Sequence, residues 1–291
     1  MKEIAIIGST ASGKTALSLE IANKTNSIIL SLDSLCVYKE IEIASAKPTL
    51  EERGDIIHFG IDEVYPNVEF DVIKFIELYK KAKEYAFKND KNLIIVGGTG
   101  FYLKALIDGL SQGIETKIKL DIPQEDAYDL LYKIDKEYME KIEKNDRYRI
   151  EKAYAIYKQT SLGPTQYFQK NPKIAVAKDL KIFEILWDKE ELKNRILKRT
   201  KIMINSGIID EVIFLEKKYT REPNSMSSIG IIETLEYLDG KLTKQELEEK
   251  ISANTAKLAK RQNTFNKGQF LDKTSNIIEN LNSDIIKYFS L

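Results

Sequence analysis

Short apolar runs alternate with amphipathic helical patterns over the first third of the chain. The apolar runs, each long enough for a buried strand, are 4–7, 28–30 and 93–96. Helical patterns begin near Lys14 and Asp71, and the second of them repeats its apolar residues at three- and four-residue spacing, which buries one stripe of the helix. Strands that alternate with helices in this way predict an α/β fold built on a parallel sheet.

The pattern changes in the middle of the chain. Residues 113–180 are mostly helical and charged, with apolar residues on single helix faces, and they predict an all-helical insert. A strand-like run at 181–187 then returns the chain to the sheet. We therefore predict a catalytic core formed by residues 1–112 and 181–291, interrupted by a helical subdomain at 113–180.

Two capping pairs mark the helices of the last third. Asp188 and Glu191 begin one helix, and Thr243 and Glu246 begin a long helix that carries many basic residues. This basic helix is predicted to end near Gly268 and to leave a polar tail.

A glycine-rich segment directly follows the first predicted strand and opens the first predicted helix. It matches the pattern GxxxxGK[ST] over the residues Gly8, Ser9, Thr10, Ala11, Ser12, Gly13, Lys14 and Thr15. In this setting the pattern predicts a phosphate-binding loop, because backbone amides and a helix N-terminus attract a diphosphate or triphosphate. Lys14 adds a positive charge, and the Thr15 hydroxyl is a candidate ligand for Mg²⁺. The alternative is a glycine-rich turn that binds nothing. With the loop, the predicted fold becomes a P-loop NTPase-like parallel sheet flanked by helices.

The segments that decide what happens to the phosphate differ from those of a hydrolytic NTPase. The run at 93–96 leads into Gly97-Gly-Thr-Gly100 rather than into an acidic pair for Mg²⁺ and water. A guanine-binding NKxD motif is also absent, because Asn23-Lys-Thr-Asn26 lacks the aspartate. The carboxylate that remains is Asp33, just after the second strand, which either reaches the phosphate site or caps a turn with Ser34.

The composition limits the partners of the chain. Lys and Arg number 45 and Asp and Glu number 45, so no overall charge draws the protein onto nucleic acid or an anionic membrane. Cys36 is the only cysteine, which excludes an internal disulfide, and no apolar stretch approaches the roughly 20 residues that span a bilayer. We expect a cytoplasmic monomer without a membrane contact or an obligate protein partner.

Five further segments, taken with the phosphate-binding loop, resemble the bacterial tRNA dimethylallyltransferase family in order and spacing. They are Asp33-Ser-Leu-Cys-Val-Tyr38, Ala46-Lys-Pro48, Gly97-Gly-Thr-Gly100 with Tyr102, Asn145-Asp146 with Arg149, and Thr255-Ala-Lys-Leu-Ala-Lys-Arg-Gln262. The resemblance extends over nearly the whole chain. It implies transfer of a dimethylallyl group from dimethylallyl diphosphate to the exocyclic amine of the adenosine 3′ of the anticodon, in tRNAs that read codons beginning with U.

The resemblance also implies roles for single residues. Asp33 is similar to the family's general base, which takes a proton from the adenine amine. Thr99 and Arg199 resemble the residues that hold the diphosphate, and Lys14 and a Mg²⁺ ion on Thr15 share its charge. No nucleophilic cysteine or serine is needed for this reaction.

Contact with the tRNA anticodon stem-loop is implied for two groups of residues. They are Asp33, Ser34, Leu35, Cys36 and Thr99 around the reacting base, and Tyr148, Arg149, Ile150, Glu151 and Lys152 in the helical insert. Many family members have glutamine in place of Cys36, so recognition of the base here is expected to depend more on the backbone and on Ser34. The single histidine, His58, resembles a histidine that family members have in a loop after the second strand. A structural role for His58 is equally compatible with the sequence.

Basic residues cluster on two predicted helices and offer further phosphate contacts. They are Lys193, Arg195, Lys198, Arg199 and Lys201 on one helix, and Lys250, Lys257, Lys260, Arg261 and Lys267 on the other. The alternative is that these basic residues form ordinary solvated helix faces that bind no phosphate.

Three other functions remain open at this point. A small-molecule P-loop kinase would share the sheet and the loop, with Asp33 as base toward a hydroxyl. An adenylate isopentenyltransferase would use the same donor on a free nucleotide. A non-catalytic RNA-binding factor with a vestigial loop would need neither Lys14 nor Asp33, both of which are present.

Overall fold

The computed structural model describes residues 1–111 and 120–290. The chain divides into two compact units, a core of Met1–Lys104 with Ala177–Leu291 and a helical unit of Ala105–Val176. The predicted boundary between residues 112 and 113 lies outside the described residues.

The core unit is organised around one parallel sheet. Within the described residues the sheet has six strands in the order β3-β2-β4-β1-β5-β6, all parallel to their neighbours. The strands are β1 (Glu3–Gly8), β2 (Ser27–Ser31), β3 (His58–Phe59), β4 (Asn92–Gly97), β5 (Lys181–Ile185) and β6 (Thr274–Asn276). The prediction of a P-loop NTPase-like α/β fold is confirmed.

Helices precede, connect and follow these strands. In chain order they are α1 (Lys14–Lys24), α2 (Leu50–Arg53), α3 (Val72–Lys88), α4 (Gly100–Asp108), α5 (Gln124–Ile134), α6 (Lys136–Met139), α7 (Arg147–Thr160), α8 (Pro164–Lys170), α9 (Lys189–Asn205), α10 (Ile208–Tyr219), α11 (Ile231–Leu238), α12 (Lys244–Gln269) and α13 (Ile278–Ser290). A 3₁₀ turn occupies Asn224–Ser227. Among the described residues, none of the helices combines the length and apolar character needed to cross a membrane.

The central strands are apolar on both faces because helices cover both. Residues 4–6, 28–30 and 93–95 are at most 2% exposed, as expected for parallel strands buried in an α/β sheet. Asp71 caps α3 by accepting from the amides of Ile73 and Lys74, both at 3.0 Å. The predicted strands and the helix after Asp71 are confirmed.

The prediction of a polar tail after Gly268 is wrong. Residues after Gly268 form β6, which pairs with β5, and then α13, whose Leu281 and Ile285 are fully buried beside α1 and β5. Glu184 of β5 anchors this segment, because it accepts from the Ser275 hydroxyl at 3.1 Å and lies 3.6 Å from Lys273. Strand β6 has only three residues, all polar, so it lacks the alternation of apolar and polar residues that predicts a strand from sequence.

A second core lies under α9 to α12 and fixes a loop near the site. Glu211 of α10 accepts from the amides of Glu42 and Ile43 at 2.7 Å and of Ala44 at 2.9 Å. One carboxylate thus satisfies three consecutive backbone donors of a segment that has no sheet or helix partners there. The loop that carries Ala44 and Ser45 is held in place by this contact.

The helical unit has a small core of its own. Ile150 and Tyr154 of α7 pack with Leu131 of α5, and all three are at most 1% exposed. Asp135 caps α6 through the amide of Tyr138 and accepts from Thr165 at the start of α8. These contacts make the unit compact without any strand among its described residues.

Candidate functional site

Three loops meet at the carboxyl edge of the sheet. The loop after β1 is the glycine-rich segment, Asp33 follows β2, and Gly98 and Thr99 follow β4, and these three strands are neighbours. Ligands of open parallel sheets bind at this edge. Beyond the strands, Leu32 donates to the carbonyl of Val96 at 2.6 Å and Thr99 donates to the carbonyl of Leu32 at 3.1 Å. The loops with Asp33 and Thr99 are therefore tied to each other by backbone hydrogen bonds.

The glycine-rich segment has the backbone of a phosphate-binding loop. Ala11 has φ 63° and Gly13 has φ 88°, and α1 begins directly afterwards. Left-handed backbone at alternate positions of a loop turns successive amides towards one point. An anion can bind there, at the N-terminus of the helix. Lys14 lies across its own loop, with its Nζ donating to the carbonyl of Ser9 at 2.6 Å.

Two side chains from the segment after β5 hold the loop from its other side. Trp187 Nε1 donates to the carbonyl of Ser12 at 2.8 Å, and Arg195 Nε donates to the carbonyl of Ala11 at 2.7 Å. The Arg195 guanidinium also stacks on the Trp187 ring, 4.3 Å from its centroid. The carbonyls of Ala11 and Ser12 are thus satisfied by side chains from a distant part of the chain, which support the backbone of the loop.

The cavity brings together two half-buried cations and one carboxylate. The pKa of Lys14 is lowered to about 8, chiefly by desolvation and next by the positive charge of Arg199, while Asp33 opposes the shift. Desolvation also lowers the pKa of Arg199, and Asp33 again opposes it. Two cations against one anion leave an excess of positive charge in the cavity, which an anionic ligand relieves.

Asp33 is held by its own turn. Its Oδ1 accepts from the amides of Leu35 at 2.8 Å and Cys36 at 3.2 Å. Within the described residues, no hydrogen bond reaches Oδ2. The two interpretations of Asp33 are therefore compatible, because one carboxylate oxygen caps the turn and the other remains for chemistry.

Two adjoining cavities occupy this edge. One, of about 110 Å³, lies between the glycine-rich loop and β2, and the other, of about 420 Å³, lies between the Asp33 turn and α9. Both are lined by Thr10, Asp33, Ser45, Gly98, Arg199, Leu258 and Gln262. Lys14, Thr15 and Cys36 line only the first, and Ser34, Leu35 and Thr99 only the second. Of the other predicted loop residues, Gly8, Ser9, Ala11 and Ser12 are buried and Gly13 is half-buried.

The sequence model of the family described as IPP transferase matches residues 36–269. The chain belongs to the IPP transferase family. The assignment made from sequence motifs is confirmed, and with it the expectation of a prenyl-transferring enzyme.

Relatives of the family cover the whole chain. A protein named tRNA dimethylallyltransferase from Aliarcobacter butzleri is 82% identical over all of both chains, and one of the same name from Sulfurimonas denitrificans is 52% identical over 98% of each. Among solved structures, the full-length tRNA isopentenylpyrophosphate transferase of Bacillus halodurans has a TM-score of 0.75 at 28% identity, over 99% of this chain and 95% of that one. A eukaryotic dimethylallyltransferase described as acting on tRNA has a TM-score of 0.81 at 28% identity, over 96% of this chain and 74% of that one.

The predicted RNA-contacting stretch of α7 is only partly exposed. Tyr148 and Arg149 are exposed, whereas Glu151 and Lys152 are half-buried. Ile150 is fully buried in the core of the helical unit, and its contact with RNA stays a prediction. Helical periodicity explains the difference, because Ile150 shares its face with Ala153 and Tyr154.

The basic residues of α9 and α12 fall into different roles. Arg195 donates to the glycine-rich loop and stacks on Trp187, and its contact with tRNA phosphate stays a prediction. Lys250 pairs with Glu236. On the same α12, Lys257, Lys260 and Arg261 are exposed and keep the predicted basic face.

Two residues noted in the sequence have different surroundings from those expected. His58 lies in β3 rather than in a loop, its Nδ1 is 2.8 Å from the carbonyl of Ile56, and burial lowers its pKa. It is therefore neutral at pH 7 and lines the smaller cavity. Burial and Asp33 raise the pKa of Cys36, whose Sγ lies 3.8 Å from the carbonyl of Ser45. Cys36 is thus a neutral thiol, suited to contact and not to nucleophilic attack.

Sequence reasoning missed Gln262 as a site residue. It lies on α12, far along the chain from the loops, and it lines both cavities. Two signals could have indicated it: Gln262 ends the family-like segment that begins at Thr255, and it lies one turn after the apolar Ala259, which is buried.

Proposed function

We propose that this chain transfers a dimethylallyl group from dimethylallyl diphosphate to the exocyclic amine of the adenosine 3′ of the anticodon. The substrates are tRNAs that read codons beginning with U, and diphosphate is released. The observation that carries the proposal is the cavity lined by Lys14, Arg199 and the Asp33 carboxylate, whose charges influence one another. The name tRNA dimethylallyltransferase on a relative 82% identical over the full length supports it.

The donor diphosphate binds in the glycine-rich loop. Backbone amides of Ala11 to Thr15 and the N-terminus of α1 attract its oxygens, and Lys14 exchanges its bond to the Ser9 carbonyl for a phosphate oxygen. Arg199 lines the same cavity as Lys14, and Thr99 lines the adjoining larger cavity. As the bond from carbon to the bridging oxygen breaks, its electron pair leaves with the diphosphate, and the charges of Lys14 and Arg199 stabilise the growing negative charge.

The acceptor amine approaches from the larger cavity. Its nitrogen forms the new bond to the allylic carbon, and Asp33 Oδ2 takes the proton that the amine must lose. The bonds from Leu35 and Cys36 keep Oδ1 fixed, so the carboxylate is oriented before the base arrives. An adenine amine is a weak nucleophile, and its alignment with the donor supplies much of the rate.

A Mg²⁺ ion fits beside the glycine-rich loop. Thr15 is exposed at the first turn of α1 and lines the smaller cavity. The described residues contain no cluster of three or more His, Cys, Asp or Glu that could hold a metal, but Mg²⁺ bound with phosphates needs only one or two protein ligands. Bound there, it neutralises part of the diphosphate charge.

The tRNA must present its base outside the stack. An adenine extruded from the anticodon loop, at a cost of about a few kcal/mol, enters the larger cavity of about 420 Å³. Ser34, Leu35 and Thr99 then border the base, and Cys36 lines the adjoining smaller cavity. We assign binding of the anticodon stem-loop to the helical insert of residues 113–180, through Tyr148, Arg149, Glu151 and Lys152. We also infer that the reaction takes place in the cytoplasm.

The deciding experiment incubates the protein with Mg²⁺, dimethylallyl diphosphate and unmodified tRNA, and then analyses the digested RNA by mass spectrometry. We expect one adenosine to become heavier by one dimethylallyl unit, next to the anticodon. A tRNA with guanosine at that position is the matched control and should remain unchanged. ATP consumption with a small hydroxyl acceptor and no change in tRNA would establish the kinase alternative instead, and prenylation of free adenylate would establish the nucleotide-specific one.

A further inference from the structure

The side-chain amide of Gln262 joins two loops of the site. Its Oε1 accepts from the amide of Thr10 at 2.7 Å, and its Nε2 donates to the carbonyl of Gly98 at 3.0 Å. Thr10 lies in the glycine-rich loop after β1, and Gly98 lies in the loop after β4. Within the sheet these strands are neighbours, but the amide of Gln262 is a separate connection between their ends.

The backbone of α12 holds Gln262 in this place. Ala259, one turn earlier, is 2% exposed and packs in a small apolar cluster with Ala11 of the glycine-rich loop and Ile196 of α9. Helix α12 therefore contacts the glycine-rich loop at two successive turns, by the apolar contact of Ala259 and by the hydrogen bond of Gln262. Withdrawal of the Gln262 side chain would require the loss of both hydrogen bonds or a shift of a packed helix.

Gly98 is shaped to receive this side chain. A Cβ atom at Gly98 would lie 2.3 Å from Gln262 Nε2. The φ of Gly98 is outside the left-handed region, so the backbone conformation does not demand glycine. Glycine is favoured here because a Cβ atom would overlap the Gln262 side chain.

We propose that Gln262 is a positioning residue for the donor diphosphate, which holds the glycine-rich loop at Thr10 and the loop at Gly98 and Thr99 at a fixed separation. The inference rests on the proposed function for the identity of the ligand. Glutamine suits this task because its amide both accepts and donates. Glutamate would lose the donor to Gly98 and add negative charge beside the diphosphate, and methionine would keep the length and lose both hydrogen bonds.

The first test replaces Gln262 by methionine and measures steady-state kinetics and the affinity for inorganic pyrophosphate. Two neutral hydrogen bonds contribute enough to raise the KM for dimethylallyl diphosphate about tenfold and to weaken pyrophosphate binding by a similar factor. The KM for tRNA should change less than about twofold. Gln262→Glu keeps the size and the acceptor, and it should weaken pyrophosphate binding even more because of charge repulsion.

A matched control lies on the same helix. Gln245 bonds to Glu249 at 2.9 Å on the exposed first turns of α12, and Gln245→Met should leave every parameter unchanged. If Gln262→Met and Gln262→Glu both bind pyrophosphate as the wild-type protein does, the proposal is wrong. Because pyrophosphate binding requires no prenyl transfer, this readout also stands if the proposed reaction fails.

A double-mutant cycle tests the contact between Gln262 and Gly98. Gly98→Ala alone should raise the KM for the donor about tenfold, since its methyl group displaces the Gln262 amide. In a Gln262→Ala background the same methyl group has room, and Gly98→Ala should then add less than about a twofold effect. Equal effects of Gly98→Ala in both backgrounds would show that Gln262 does not shape this loop.

Discussion

The cavity of the core and the exposed face of α7 are built in opposite ways. In the cavity, Lys14, Asp33 and Arg199 come from three separate segments of the chain, and desolvation lowers the pKa of both cations. On α7, Tyr148 and Arg149 point to solvent and interact with close neighbours, with Arg149 3.3 Å from Asp146 and the Lys152 ammonium 5.2 Å from the Tyr148 ring centroid. Convergent buried charge suits bond making, whereas separate exposed groups suit the binding of a large partner.

The difference predicts which kinetic parameter responds to each change. Charges in water are screened and contribute little, whereas the same charges in a cavity act strongly on a reacting group. Substitutions in the cavity should therefore lower kcat or alter donor binding, and substitutions on α7 should alter the KM for tRNA alone.

The largest effect is expected from Asp33→Asn. The asparagine oxygen still accepts from Leu35 and Cys36, so the turn is kept, but no base remains for the amine proton. We expect kcat to fall about 10²–10⁴-fold, with tRNA affinity within about twofold in a filter-binding assay. Asp188→Asn is the matched control, because Asp188 also caps backbone amides with Oδ1 but lies outside both cavities. Near-normal turnover of Asp33→Asn would remove Asp33 from the chemistry.

Arg199→Gln should have the next largest effect. The change removes a buried positive charge from the leaving diphosphate, and the loss of one such stabilising group typically costs about 10²–10³-fold in kcat. Single-turnover measurement of prenyl transfer reports this step directly. Lys198→Gln, the exposed neighbour on α9, should leave the rate unchanged. If the two variants behave alike, Arg199 acts only through the general charge of the helix.

A pH profile tests the buried cation on the glycine-rich loop. Lys14 has a pKa lowered to about 8, so it is positive below pH 8 and becomes neutral above it in the free protein. Donor affinity depends on that charge, and kcat/KM for dimethylallyl diphosphate should fall towards tenfold for each pH unit above about 8. In Lys14→Arg, whose guanidinium stays protonated, this decline should disappear even if overall activity is lower. A decline retained in Lys14→Arg would assign the titration to another group.

The sequence predicted the strand-end groups well because their patterns are local. A buried apolar strand followed by Gly8 to Thr15 specifies the loop, the helix and the position of Lys14 together. Asp33 and Thr99 follow strands of the same sheet, so their proximity follows from topology alone.

Groups that depend on packing between distant helices were harder to predict. Gln262 reaches the loops only because α12 crosses α9, and the three-residue β6 owes its conformation to pairing with β5 and to the anchor at Glu184. Such features have no local signal, since tertiary contacts decide them.

The smallest effect is expected on the exposed face of the helical unit. Tyr148 is 69% exposed, and the loss of one aromatic stacking partner for RNA costs about 1–3 kcal/mol. Tyr148→Ala should therefore raise the KM for tRNA about tenfold and leave kcat and the KM for dimethylallyl diphosphate unchanged. Phe87 on α3 is a similarly exposed aromatic at 76%, and Phe87→Ala should leave the KM for tRNA unaltered. A lower kcat in Tyr148→Ala at saturating tRNA would contradict the contrast, because an exposed side chain of the helical unit would then influence bond making in the core.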